Sequence, residues 1–353
     1  MDYNLHQRGR ASINFLTDLR MLSDRLEPLT DQQAKVAGIQ SDQLPETPEE
    51  LQKVVTPVLE AMPEFRLLRM CRDWTLEQHG RIAMETFEEI RKEVEPILKG
   101  LQTGPATLQY NKSIQPPEYW EGYEFHKSEG GWDGHDYMGF VHGELIHRHM
   151  VNPTFAGIIY AVRKSVAETA AFINPQKILD VGCCSGQYTQ GVAELFPDAE
   201  LWACDLSARQ LEQAQRYANE HSLNWKLFQA AGEELGLENE QFDLVTSYAM
   251  FHEIPIDASR ANLREYLRVL KPGGYAVVGD VKAYHAYDNY DRWKADYWNQ
   301  EQGGDPFWRE YASTDLAELA LEEGFAEAKW EGLGERQYPF VLIARKGLTN
   351  GEG

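Results

Sequence analysis

The chain has 353 residues, 34 Lys and Arg against 56 Asp and Glu, and a net charge of −22. An acidic surface repels phosphates and anionic lipid, which argues against nucleic acid or a membrane surface as partner. With 42% hydrophobic and 11% aromatic residues the chain can bury a core, so global disorder is excluded, and its length predicts two domains.

The opening MDYNLHQRGRASINFLTD has no apolar segment of the kind a signal peptide carries, and the longest apolar stretch, near 155–162, falls far short of a bilayer span. Cys71, Cys183, Cys184 and Cys204 lack CxxC spacing, and the adjacent pair does not readily bridge to itself. They read as thiols of a cytoplasmic protein.

Up to about residue 100 apolar residues recur at helical spacing: Ile13, Leu16, Leu19, Leu22 and Leu26, then Leu51, Val54, Val55, Val58 and Leu59, then Ile82, Phe87, Ile90, Val94 and Leu98. Pro48, Pro57, Pro63 and Pro96 fall near expected helix boundaries, and ETPEE at 46–50 reads as a helix start with Thr47 as cap. Residues 101–150 are irregular. Between 110 and 149 stand eight aromatics and five of the ten histidines, the composition of a binding loop or of rings that pack two domains together. The expectation is a mostly helical domain over 1–150 that closes a site and supports a homodimer, with an aromatic-rich loop at 101–150.

After Pro153 strand and helix patterns alternate. KILDV (177–181), ELWAC (200–204), WKLFQ (225–229), FDLVTSY (242–248) and YAVVGDV (275–281) read as strands, with helices near 186–196, 207–220 and 258–270. AEAKW and YPFVLIAR close the chain as a β-hairpin, and LTNGEG reads as a frayed tail. The fold class is α/β, a doubly wound parallel sheet over 151–353.

The sharpest motif is KILDVGCCSGQYT, a strand that turns through glycines into a helix, whose free N–H groups and positive dipole end suit a ligand. Nineteen residues after Gly186, at the end of the next strand, Asp205 is placed to accept ribose hydroxyls. The turn is a poor match to G-x-G-x-x-G, which demotes a dinucleotide fold. At these positions the sequence resembles the class I S-adenosylmethionine-dependent methyltransferases, over roughly 160–345.

The resemblance implies a doubly wound Rossmann-like domain with S-adenosylmethionine as cofactor. It places Asp180, Gly182, Cys183 and Gly186 in the first motif, Asp205 on the ribose, Leu206 beside the adenine, Gly232 and Glu233 in the adenine-side loop, and Ser247 on the fourth strand. Cys184 stands at the usual central glycine, and Ala231 where many members carry an acid. His252 follows the fourth strand at the place where small-molecule O-methyltransferases carry a His-Asp pair, with Glu253 beside it and Asp280 at the end of the fifth strand. A histidine near neutrality suits proton abstraction.

The acceptor is expected to be a small molecule, faced by Tyr123, Trp132, His142, Tyr248 and Tyr284, with no nucleic acid or membrane as partner. O-methylation with His252 as base is favoured. Alternatives are S-methylation of a thioether carboxylate, as in dimethylsulfoniopropionate synthesis, and C-methylation assisted by a metal on His252, Glu253 and His285, His142 or His147, although no metal is assigned. A cofactor-binding scaffold is the non-enzyme alternative. A second aromatic cluster at 283–311 reads as a substrate-binding insertion that closes the pocket, and Arg148, Arg163 and Arg292 are candidates for a carboxylate on the acceptor.

Overall fold

The computed structural model describes residues 3–348; all but the first residue of the LTNGEG segment lies outside them. Three helices open the chain: α1 (Gln7–Val36), α2 (Pro48–Glu60) and α3 (Pro63–Gly100). Pro48 and Pro63 sit at the first helical position, where the missing N–H costs nothing, whereas Pro57 and Pro96 lie inside their helices. Thr47 precedes α2 as expected, but its hydroxyl donates to Glu50 (2.8 Å) rather than capping a backbone N–H.

Segment 101–150 is not a loop throughout. Thr107–Gln109 forms β1, which joins the edge of the sheet beside β4 (Lys226–Gln229), pairing Thr107 with Lys226 and Gln109 with Phe228. Further on, α4 (Met138–Phe140) runs into a π-helical stretch, Val141–Val151, and then α5 (Asn152–Thr154). This run packs on α1 and α3 through Ile13, Leu16, Phe87, Ile90, Phe140 and Leu145, so the predicted loop supplies part of the helical core.

The eight strands stand in the order β1-β4-β3-β2-β5-β6-β8-β7. Here β2 is Lys177–Val181, β3 Glu200–Asp205, β5 Phe242–Tyr248, β6 Leu270–Asp280, β7 Glu327–Gly332 and β8 Phe340–Arg345. All neighbours pair in parallel up to β6; β8 and β7 add the antiparallel hairpin predicted from the closing apolar runs. Helix α6 (Ile159–Glu168) precedes β2, and α7 (Gln187–Leu195), α8 (Ala208–Glu220) and α9 (Ile256–Val269) link strands close to their predicted ranges. Leu179, Val245, Phe242 and Leu263 fill one face of the sheet, and Ile178, Leu227, Leu244 and Val277 the other. Since β2 is flanked by β3 and β5, the chain reverses direction across the sheet beside β2, and the carboxyl ends of these strands open a crevice there.

After β6 come α10 (Asn289–Asp296), α11 (Trp308–Ser313) and α12 (Leu316–Glu322). Most rings of the 283–311 cluster are core. Trp293 and Tyr297 are buried against Leu51, Val55, Leu59 and Phe65 of the helical region, and Tyr290, Trp293 and Tyr297 stack in sequence at 5.7 and 5.1 Å. Where the sequence predicts a substrate-binding insertion, these rings instead pack the two regions together.

Candidate active site

A cavity of about 580 Å³ opens at the carboxyl ends of β2, β3, β5 and β6 and extends between α1, α3 and the π-helical stretch. Its floor is the turn after β2. Gly182 has φ +72°, and a Cβ there would meet the Met250 sulfur at 2.5 Å. Cys184 holds a left-handed φ of +51°, which a side chain normally avoids; its N–H donates to Asp205 Oδ2 (2.8 Å), and its thiol lies 3.4 Å from Gln210 and 3.6 Å from His142. The expected Cβ at this glycine position is therefore accommodated by tying the turn to the end of β3.

Asp205 lines the cavity. Its other oxygen accepts from Ser207 N–H (2.8 Å), each oxygen retains a lone pair, and burial pushes the carboxyl up to about 6 against those two bonds. Gly182, Cys183, Leu206, Gly232 and Glu233 share the wall, and Tyr119 reaches across from the 101–150 segment to donate to Glu233 (2.5 Å).

Asp180, Gly186 and Ser247 do not reach the cavity wall. Asp180 is fully buried below the turn, accepting from Thr189 (2.6 Å), and burial raises it to about 7. Gly186 faces Trp225 and Ala214, so it serves the turn. Ser247 points off the strand beside Tyr266, on the opposite side from its neighbour Thr246, which bonds Tyr188.

In the short turn that follows β5, where Met250 packs on Gly182, His252 meets Asp280. Asp280 Oδ1 lies 2.5 Å from His252 Nδ1 and accepts from Val281 N–H (2.7 Å), while Oδ2 accepts from Phe251 N–H (2.8 Å) and His252 N–H (3.3 Å). Burial alone would lower the imidazole, but Asp280, with Glu253 and Asp305 adding to it, raises His252 to about 9. Glu253 Oε1 lies 3.8 Å from His252 Nε2 and 3.0 Å from His126 Nε2, and Asp305 lies 2.7 Å from the other nitrogen of His126. Despite burial, Asp305 and Glu253 hold His126 well above its ordinary value. His126 and Asp305 escaped the sequence reading, because His126 is 127 residues from Glu253 and takes an unusual φ of +51°.

Another histidine group stands near the turn. The rings of His142 and His147 lie 4.6 Å apart, because the π-helix brings residues five apart to one face, as an α-helix would not. Burial holds both well below their ordinary value. Arg163 Nη2 donates to His147 Nδ1 (3.0 Å); the guanidinium is only 8% exposed, lines the cavity and has no carboxylate partner among the described residues.

Of the acceptor candidates, Trp132, His142 and Tyr248 line the cavity. Tyr123 lines a small neighbouring hollow, and Tyr284 is buried behind the wall, donating to Asp296 (2.8 Å). From the second aromatic cluster only Trp298 and Trp308 reach the cavity. Of the three arginines, Arg148 pairs with Glu144 and Arg292 bonds backbone carbonyls, so Arg163 alone faces the cavity. His285 packs against Trp330 and Phe340, each 5.5 Å away, apart from the cavity. Among the described residues no three His, Cys, Asp or Glu side chains are grouped to hold a metal ion. No described helix is long and apolar enough to cross a membrane.

Residues 178–274 match the family described as "Methyltransferase domain". An uncharacterized protein of Haemophilus influenzae is 33% identical over 112 residues, 31% of this chain and 44% of its own length. A malonyl-[acyl-carrier protein] O-methyltransferase of Hahella chejuensis is 28% identical over 195 residues, 54% of this chain and 67% of its own. A crystal structure of a putative S-adenosyl-L-methionine-dependent methyltransferase from Methanococcus maripaludis covers 69% of this chain and all of its own at 17% identity, with a TM-score of 0.44. Residues 178–274 thus carry a methyltransferase domain, and the chain spans 44% and 67% of the length of these two relatives.

Proposed function

We propose that this chain transfers a methyl group from S-adenosylmethionine to the oxygen of a small acceptor, with His252 as general base. The observation that carries the reading is His252 on the cavity wall, held from behind by buried Asp280. Asp280 fixes the ring by accepting at Nδ1, so that Nε2, in the deprotonated form of the ring, is the nitrogen left to take the acceptor's proton. Glu253 stands beyond Nε2 at 3.8 Å, with His126 on its other side, and its charge favours the imidazolium that forms.

S-adenosylmethionine supplies the electrophilic methyl group. Asp205 holds its ribose hydroxyls, Gly182 and Cys183 pass under its methionine part, and Leu206, Gly232 and Glu233 border the adenine. Arg163 pairs with the methionine carboxylate, which would neutralise a cation otherwise buried without a counter-charge. An apolar stretch of wall, Leu76, Met84, Ile146 and Met150, suits an acceptor with an apolar body. Relatives named as O-methyltransferases agree with an oxygen acceptor.

The test is to incubate the chain with methyl-labelled S-adenosylmethionine and a fractionated metabolite pool, and to identify the labelled product by mass. We expect an O-methyl product whose formation requires His252. Turnover that survives His252→Ala undiminished would remove the base from the proposal, and tight cofactor binding without transfer to any fraction would favour a scaffold.

A further inference from the structure

Helix α1 is amphipathic in reverse over its second half. Toward the cavity and α3 it presents Arg20, Ser23, Asp24, Glu27 and Thr30, with Arg72 of α3 pairing Asp24 and Glu27. On the other side Phe15, Leu22 and Leu29, seven residues apart, are 56%, 45% and 51% exposed. Helix α3 extends the patch. It runs antiparallel to α1, with Gly9 bonded to Glu89 and Arg72 to Glu27, so exposed Leu67, Met70 and Trp74 lie level with this stripe, and Trp74 meets Phe15 edge-on at 5.6 Å. A single exposed leucine needs no explanation, but a two-helix stripe of six large apolar side chains does.

Two observations select the occupant. Charge is the first: α1 and α3 together carry twelve basic and twelve acidic residues, so these two helices are neutral on a chain of −22 and two copies meet less repulsion here than elsewhere. The second is the placement of Asp18 and Arg25, each three residues after an apolar position of the stripe and each without an ionic partner among the described residues. Seven residues apart, they cannot reach each other along one helix. An antiparallel two-fold pairing centred beside Leu22 sets Phe15 against Leu29 and Asp18 against Arg25 of the second copy, twice over.

We propose that the exposed α1–α3 face is the site at which a second copy of this chain docks, antiparallel about a two-fold axis at Leu22. The inner side of α1 lends Leu16, Thr17 and Arg20 to the cavity, so the partner would back that wall. The proposal does not depend on the methyl acceptor.

Sedimentation velocity on the full chain from about 1 to 50 µM tests it. A dimer is expected, with Leu22→Glu leaving a monomer and Asp18→Arg weakening the dimer at least about tenfold. The paired exchange Asp18→Arg with Arg25→Asp should restore affinity to within about threefold of the original, which no general loss of stability would do. Circular dichroism checks that each variant folds, and if Leu22→Glu does not, the exchange pair decides alone. A wild-type monomer across the range, or a dimer indifferent to these substitutions, overturns the proposal.

Discussion

Two histidine groups on the cavity wall, separated by the Trp132 ring, are shifted in opposite directions. On one side of that ring His126 and His252 stand against Glu253, Asp305 and Asp280, and those carboxylates outweigh burial and hold both rings protonated at neutrality. Beyond Trp132, burial holds His142 and His147 well below their ordinary value, and the charges of His126 and Arg163 add to it. His79 on α3, bonded to Leu76 carbonyl and Ser128, is likewise lowered to about 4 by burial. Loss of water lowers all five; the carboxylates beside His126 and His252 reverse the sign.

The hardest blow to this contrast is His252→Ala. On the proposed mechanism kcat falls about 10² to 10⁴-fold while S-adenosylhomocysteine binding, measured by calorimetry, stays within about threefold. Next comes Arg163→Gln, expected to weaken S-adenosylhomocysteine at least about tenfold and 5′-methylthioadenosine, which lacks the carboxylate, hardly at all. Equal losses for both ligands would show that the guanidinium serves the fold instead.

A pH series sharpens the comparison. The base form of His252 appears only as pH passes about 9, so kcat/KM should climb between pH 7 and 9, and His126→Gln, which alters the charge around Glu253, should displace that limb. A flat profile would remove His252 as base. Stability should move at both extremes. For His252 the folded value is above the unfolded one, so its contribution is complete below about 6.5 and lost as pH rises through about 9. For His79 the folded value is depressed, so the fold loses stability as pH falls from about 6.5 to about 4, an interval that His79→Gln should flatten in thermal melts. The smallest effect is assigned to Tyr284→Phe, which removes one bond to Asp296 behind the wall; it should cost about 0.5–1.5 kcal/mol of stability and leave KM unchanged.

Features carried by local pattern were legible in the sequence. Strand-turn-helix spacing located Gly182 and Asp205, and alternation of strand and helix gave the sheet and its closing hairpin. His252 and Asp280, 28 residues apart, were joined only through the family resemblance, and the structure brings them into contact. What local pattern does not encode was missed. Thr107–Gln109 is too short to register as a strand, and it depends on pairing with Lys226–Phe228. Which face Ser247 takes depends on a strand register that one residue reverses. His126 finds Glu253 and Asp305 only through tertiary packing, and the approach of His142 to His147 depends on a π-helix that the sequence pattern did not announce.

The adjacent cysteines at the floor carry a further consequence. A methyltransferase stores an alkylating agent, and thiolate is the most alkylatable group a protein owns. Burial raises Cys184 to about 12 and Cys183 well above its ordinary value, with Asp205 adding to both. On the proposed function, the two sulfurs, kept as thiols, shape the floor without competing for the methyl group.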